Sequence, residues 1–533
     1  MPDRQVSMSD VARLLGITLS AVSNWRRRHP SFPSAEEVNG QELFWSQEIA
    51  DWLDDRKISK RDLKPSELPG TTYGTRFRGS HVTKADVLWK ELIRFRGVED
   101  IAVFADFVLG LLYLAESNDH HWNEIVADDG SGRPQLLELA ALDDQPILYD
   151  LHRARNSFFG DARSEAQVEG IVRLVDRIHR SSQSPEMFEF LLTRFAAAEG
   201  RRGAGVHTPS AVVKLLVELV APAPGARVFD PCCGSGGFLL GAANYIAAHA
   251  GHDVVASFTG HALSARSAAL ASMNLRLHRI SADVEVRTDT IFRSGGKLTS
   301  DELFDVVLSN PPFDLKESIG STPVSELQGP YGTLPKNWTN FAWLQYVMSS
   351  LADRGRAAVI MPGGTLFRGG AESQVRANMI NAGIVEAIIA LPPQLFVSTG
   401  IPVTVWLLRQ SERPREGEVL LIDASHLGHL VSRTQRSLSD GDRGQITNTL
   451  QQWRTGNGYE DVQGFSASVV IERIRDQDYV LTPARYVGSS VEFDTIRKPL
   501  GELRNDLALL ERCAEVVDAA AERQLDRIST WIR

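Results

Sequence analysis

The apolar run Phe304-Asp305-Val306-Val307-Leu308-Ser309 ends in Asn310-Pro311-Pro312-Phe313. About 70 residues earlier, Arg227–Asp230 runs into the glycine turn Pro231-Cys232-Cys233-Gly234-Ser235-Gly236-Gly237-Phe238. Short apolar runs that break at turns, with helix-length segments between them, restrict the chain to alternating strands and helices. Between Arg227 and about Gln410 such runs recur at Val254–Thr259, Arg356–Met361, Ile384–Leu391 and Pro402–Arg409. The pattern predicts a parallel α/β sheet, which binds its ligands at the C-terminal ends of its strands. Both motifs are strand C-terminal ends.

Gly234, Gly236 and Gly237 allow a sharp turn in which backbone amides at a helix N-terminus approach a ligand. Asp230, ahead of the turn, suits a cationic or amine-bearing ligand better than a pyrophosphate. Asn310 offers a planar amide, Pro311 a carbonyl and Phe313 a ring face. Asn310 Oδ1 and the Pro311 carbonyl would accept the two protons of a planar exocyclic amine while Phe313 stacks on the base. Alignment of the reactants would then supply much of the acceleration, without a metal or a covalent intermediate. Three cysteines, Cys232, Cys233 and Cys513, give neither a disulfide framework nor spaced metal-ligand pairs. A Pro-Cys nucleophile at Pro231-Cys232 is disfavoured, because it lies in the glycine turn; small half-buried thiols lining that turn are the simpler reading. Asp314–Thr339 lacks periodicity and is expected as a loop ordered by nucleic acid, with Lys316 and Lys336 as phosphate contacts.

Residues 1–57 are expected to form a separate module: Ser9 capping a helix Asp10–Leu15, a break at Gly16, Thr18 capping Leu19–Arg28, a hairpin at Asn39-Gly40 and a helix Ser46–Arg56. This pattern resembles a winged helix-turn-helix of the MerR or excisionase type. Ser20, Ser23, Asn24, Arg26 and Arg27 would lie on its recognition helix, within reach of phosphates and base edges. Residues 58–84 read as a linker, 85–200 as an all-α domain, 201–415 as the catalytic domain and 416–490 as a small C-terminal region. Residues 491–533 carry apolar positions at alternating steps of three and four, a coiled-coil seam. A net charge of −10 argues against a general nucleic-acid binder, so any basic surface must be local or supplied by a partner. No run is long enough to span a membrane and Met1–Asp10 lacks a signal peptide's apolar segment, so a cytoplasmic location is expected.

With these residues in view, the chain from about Val87 to Gly488 resembles the modification (M) subunit of type I restriction–modification enzymes, S-adenosylmethionine (SAM)-dependent N6-adenine DNA methyltransferases. Four further stretches carry the resemblance: Val87-Leu88-Trp89-Lys90 with Arg94-Phe95-Arg96-Gly97 and Val108–Leu111, Phe188–Leu192 leading to Gly205–Pro209, Asn340–Gln345, and Leu481–Val487. The resemblance implies a Rossmann-like methyltransferase sheet and catalysis at Asn310, Pro311, Pro312 and Phe313. It implies cofactor contacts from His207, Thr208, Pro209, Asp230, Pro231, Gly234, Ser235, Gly236, Gly237 and Phe238, and from Asp289 and Thr290 near the cofactor's adenine. It also implies DNA and a specificity (S) subunit as partners, with a restriction subunit and a homodimer or larger assembly open. Two departures stand out. Ala262 occupies the place of the acid that holds the cofactor's ribose, leaving His261 or Ser264 to compensate, and the N-terminal module is an addition. A catalytically weak DNA-binding regulator or scaffold is the alternative to an active enzyme. Action on RNA or on a protein amide is a third reading, opposed by the helical domain.

Overall fold

The computed structural model describes residues 5–38, 41–59, 72–80, 84–94, 96, 100–117, 119–127, 162–181, 183–199, 207–250, 256–288, 298, 300, 302–313, 326–335, 339–396, 401–411, 415–431 and 435–488. The chain opens with β1 (Gln5–Val6), α1 (Met8–Leu15), α2 (Leu19–Arg28), β2 (Glu36–Val38), β3 (Gln41–Trp45) and α3 (Ser46–Asp54). Its small antiparallel sheet has the order β1-β3-β2. Gly16, at φ 66°, ends α1, and Thr18 Oγ1 accepts the Ala21 N–H at 3.3 Å to cap α2. The cap of α1 is Ser7 rather than the expected Ser9. Ser7 Oγ accepts from the Asp10 N–H and Asp10 Oδ2 from the Ser7 N–H, each at 3.2 Å. This reciprocal pair lets the helix start earlier.

The linker expected over 58–84 is corrected by α4 (Tyr73–Ser80), which packs into the N-terminal core through fully buried Phe77. Arg76 Nη1 donates to the Leu15 carbonyl at 3.2 Å. Gly74, a residue type that reads as a breaker, is a contact residue. A Cβ there would lie 2.1 Å from Asp54 Oδ1 and 2.6 Å from the Ala50 carbonyl oxygen, so only glycine lets α4 lie so close to α3. Asp54 Oδ1 also lies 3.6 Å from His429 Nε2, both side chains buried, which joins this module to the C-terminal part of the chain.

The next described elements are all helical: α5 (Lys84–Arg94), α6 (Ile101–Ser117), α7 (Asp119–Ala127), α8 (Ala162–His179) and α9 (Ser184–Glu199). Phe104, Phe107, Trp122, Phe188 and Phe195 fill their shared core. Then come α10 (Ser210–Val220), β4 (Arg227–Asp230), α11 (Gly237–Ala250), β5 (Ser257–Ala262), α12 (Ala265–Leu277), β6 (Asp283–Val286) and β7 (Phe304–Ser309). Leu270 and Met273 of α12 join the helical core, and Arg266 fastens the two layers. Its Nε donates to Asp106 of α6 and its Nη2 to Glu199 of α9, both at 2.8 Å.

The chain continues through β8 (Glu326–Gly329), β9 (Gly332–Pro335), α13 (Thr339–Ser349), β10 (Leu351–Pro362), α14 (Ala371–Asn381), β11 (Val385–Ala390), β12 (Val403–Arg409) and β13 (Glu418–Asp423). It closes with β14 (His429–Leu430), β15 (Arg436–Ser437), α15 (Asp440–Thr455), β16 (Ser466–Val470) and the short helix α16 (Ile471–Arg475). The main sheet has nine strands in the order β16-β13-β11-β12-β10-β7-β4-β5-β6. It is mixed, not parallel as expected: β12 runs antiparallel to both β10 and β11, and β16 antiparallel to β13. An apolar run carries no direction, so the reversal is invisible in the pattern. The expected boundary at 415 falls inside this sheet, since β13 and β16 belong to it. The aperiodic stretch 314–339 contains the hairpin β8–β9, held by Gln345, which accepts from the Tyr331 N–H at 2.8 Å and donates to the Gly332 carbonyl at 3.1 Å. Lys316, Lys336 and residues 491–533 lie outside the described residues. Among the described residues no helix is long and apolar enough to cross a membrane.

Near the start of β11, at the end of the strands away from the motifs, Glu386 is buried between two guanidinium groups. Arg409 Nη1 donates to it at 3.0 Å, and Arg454 of α15 grips both its oxygens at 2.9 and 2.7 Å while donating to the Leu219 carbonyl of α10. Burial alone would raise the pKa of this carboxyl. The bonds and charges of Arg454 and Arg409 outweigh burial and hold it below the ordinary glutamate value. A depressed folded-state pKa means that this stabilisation is full above the unfolded value and is lost as pH falls through the folded one. Glu386→Gln is expected to destabilise the protein by about 3–5 kcal/mol near neutral pH, because two buried cations lose their counter-ion. The difference from wild type should narrow in urea melts below about pH 4.

Candidate active site

Strands β4 and β7 are parallel neighbours, with Val228 opposite Val306 and Phe229 opposite Val307. From β4 the chain crosses to β5 on one side and later returns to β7 on the other. The crevice at their C-terminal ends is therefore the topological switch point of the sheet. Phe229 and Phe304 stack at 4.4 Å beneath it. The glycine turn leaves β4 and Asn310 follows β7, so the two motifs of the sequence meet.

The turn is tied down from three sides. The Cys233 N–H donates to the His261 carbonyl at 2.9 Å, the Gly236 N–H to the Cys233 carbonyl at 2.7 Å, and Asn274 Nδ2 to the Ser235 carbonyl at 3.0 Å. Gly236 has φ +80°, and a Cβ on it would meet Leu275 Cγ at 3.2 Å, so conformation and packing both require glycine. A recess open to solvent runs from this turn to Asn310. Thr208, Asp230, Cys232, Cys233, Gly234, Ser235, Gly237, Phe238 and Asn310 line it.

Asp230 is 1% exposed. Its Oδ1 accepts the Cys232 N–H at 3.0 Å, while its Oδ2 is buried with no hydrogen-bond partner among the described residues. Burial pushes its pKa up to about 8, against the opposing pull of the Cys232 N–H. Without a ligand the group is thus largely protonated at neutral pH. A cation placed against Oδ2 would restore the carboxylate. Cys232 and Cys233 are buried rather than half-buried as expected, and burial raises both thiols well above their ordinary value. They line the recess as neutral, unreactive groups.

Asn310 Nδ2 donates to Thr208 Oγ1 at 3.1 Å, so Oδ1 is the end of the amide left for another partner. Pro311 is buried, whereas Pro312 and Phe313 are half-buried, Phe313 against the apolar core. His207 packs beside Thr193 of α9, with Nε2 and Oγ1 3.0 Å apart, and burial lowers its pKa to about 4, so it is neutral. His207, Pro209 and Pro231 are not among the residues lining the recess. Neither is His261, whose ring stands edge-on against Phe229 at 4.8 Å. The support from His261 comes instead through its backbone carbonyl. Ala262 is fully buried in the apolar core. Asp289 and Thr290 lie outside the described residues. Sequence reasoning missed Thr193; it follows directly on the Phe188–Leu192 stretch but carries no motif of its own.

The family described as N-6 DNA Methylase matches residues 183–494, a span that includes every element of the recess. The chain belongs to that family. It is 36% identical over 338 residues to the HindI type I restriction enzyme methylase subunit of Haemophilus influenzae, covering 63% of this chain and 75% of that one. To the MjaIX methylase subunit of Methanocaldococcus jannaschii it is 29% identical over 374 residues, covering 68% and 63% respectively, so it spans less than two thirds of that relative. Its fold is similar to the crystal structure of a type I restriction-modification system methyltransferase subunit from Streptococcus thermophilus. That similarity has a TM-score of 0.58 and 22% identity, covering 76% of this chain and 98% of that one.

The cofactor of this family member is S-adenosylmethionine. The chemistry of the lining suits it: Asp230, with one carboxyl oxygen lacking a hydrogen-bond partner among the described residues, matches a cationic ligand, and Gly234, Ser235 and Gly237 of the turn line the same recess. Because the cation favours ionised Asp230, SAM affinity measured by calorimetry is expected to rise from pH 6 towards pH 8, by up to about tenfold per unit, with proton release on binding. Asp230→Asn should remove that slope. A flat wild-type profile would take Asp230 out of the cation contact.

Proposed function

We propose that this chain methylates adenine N6 in DNA, as the modification subunit of a type I-like restriction–modification or phage-defence system. The observation that carries the reading is the recess that joins the unpartnered oxygen of Asp230 to the amide of Asn310, with the nitrogen end of that amide already engaged by Thr208. An adenine extruded from the duplex would offer its exocyclic amine to Asn310 Oδ1 and the Pro311 carbonyl, both acceptors. Accepting the two amine protons raises electron density on the nitrogen as it rehybridises. Phe313 would stack on the base, and Asp230 with the turn Gly234–Phe238 would hold the cofactor. SAM supplies an electrophilic methyl group. Holding both reactants in one crevice contributes through proximity, for which no metal is needed.

A specificity subunit fits the family as the reader of sequence, and the apolar heptad stripe of 491–533 is its proposed docking segment. A restriction subunit would complete the system. We read the N-terminal elements as a winged helix-turn-helix, with α2 the recognition helix and the β2–β3 hairpin the wing. Ser20, Ser23, Asn24 and Arg27 are exposed on α2. Arg26 is not free for phosphate as expected. It pairs with Glu42 of the hairpin at 2.6 and 2.7 Å and lies over the Phe44 ring. Arg27 donates to Asn24 Oδ1 at 2.8 Å, an exposed bond that water or phosphate can replace.

Asn310→Ala is expected to abolish adenine methylation, with SAM affinity kept within about threefold. Methylation-sensitive long-read sequencing of host DNA with and without the gene, wild type or variant, reads this directly; equal N6-methyladenine in all three strains would end the proposal. It also separates an active enzyme from the scaffold reading that Ala262 invites. Arg27→Ala is expected to lower DNA affinity and reduce the salt slope by about 1, whereas Arg26→Ala should chiefly loosen the module, as seen in its thermal melt.

A further inference from the structure

We propose that Thr208 is a positioning residue for the amide of Asn310, so that through it the segment His207-Thr208-Pro209 serves the base. The inference rests on the adenine-methylation reading and assigns this threonine a task in the same site.

Three bonds carry it. Thr193 Oγ1 donates to the Glu189 carbonyl at 3.0 Å within α9, so the proton between Thr193 and His207 belongs to His207 Nε2. His207 is thereby held against the helical domain. One residue on, Thr208 Oγ1 accepts a hydrogen bond from Asn310 Nδ2 at 3.1 Å while also lining the recess. An asparagine side chain turns easily about its last bond, and its two ends differ only in whether they donate or accept. A threonine hydroxyl can do either. The choice is made when an amine enters the recess: the amine must donate to Oδ1, Nδ2 must then face Thr208, and the hydroxyl accepts. Without that hydroxyl, Nδ2 would have no side-chain acceptor at this point and the amide would lose the hold that keeps Oδ1 towards the substrate. The helical domain thus reaches the catalytic amide through Thr193, His207 and Thr208, without touching the reacting atoms.

A cofactor contact and a positioning contact respond differently. The test uses the full chain purified with the subunits that accompany it in its host, radiolabelled SAM and a duplex carrying its methylation site. Thr208→Val, nearly isosteric, is expected to lower kcat about tenfold, the loss of one neutral hydrogen bond in the transition state, while KM and Kd for SAM stay within about twofold. Thr208→Ser, which keeps the hydroxyl, should return kcat to within about twofold of wild type. An unchanged kcat in Thr208→Val, or a tenfold weaker SAM Kd with kcat intact at saturation, would overturn the proposal and leave Thr208 as a cofactor contact. Should the valine variant fail to fold, the serine variant decides alone: a tenfold loss in it would also overturn the proposal, since the hydroxyl is retained. Failure of the underlying reading looks different, because wild type would then give no N6-methyladenine at all.

Discussion

The parallel pairing of β4 with β7 is the constraint on which the remaining structure depends. Sequence places the glycine turn and Asn310 about 70 residues apart, and only the crossover through β5 and β6 brings the strands back side by side. With Val228 opposite Val306, the two strands end within one residue of one another. The stacked Phe229 and Phe304 rings below, and the bonds from His261 and Asn274 above, leave the turn little freedom to drift. A recess between such ends is a product of register, and a slip in pairing would dismantle it.

Two ionic clamps keep that crevice walled. Arg266 joins α12 to α6 and α9, so the helical layer cannot lift from the sheet without exposing Asp106 and Glu199 to a lost partner. Glu386 with Arg409 and Arg454 does the same work for α10 and α15 at the opposite end. Buried pairs of this kind contribute less to net stability than their short distances suggest, but they penalise alternative packings strongly. α10 directly follows Thr208, so its fixed seat also bears on the recess.

Much of this was legible in the sequence, and the reason differs by element. β7 and β4 were read to the residue because apolar runs ended by Pro or Gly have sharp edges. Where the sequence predicts a strand over Val254–Thr259, the strand runs from Ser257 to Ala262, because Gly260 and His261 look like a turn but pair with β4 and β6. Strand direction was not legible, since side-chain alternation is the same either way, and β12 and β16 proved reversed. β8 and β9 are hard to see because each has only four residues, too few to show alternation, although Gly329-Pro330-Tyr331-Gly332 turns between them. At the site, residue types announced the ligand chemistry, whereas the partners of each atom did not. That Arg26 serves Glu42, that His261 contributes a carbonyl, and that Thr208 meets Asn310 are facts of tertiary proximity.

The buried approach of Asp54 to His429, together with Phe77 seated in the N-terminal core, has a mechanical meaning. The described part of the N-terminal module is therefore not trailing on a tether: with Asp54 of α3 buried against His429 of β14, drawing the module away would uncover both groups.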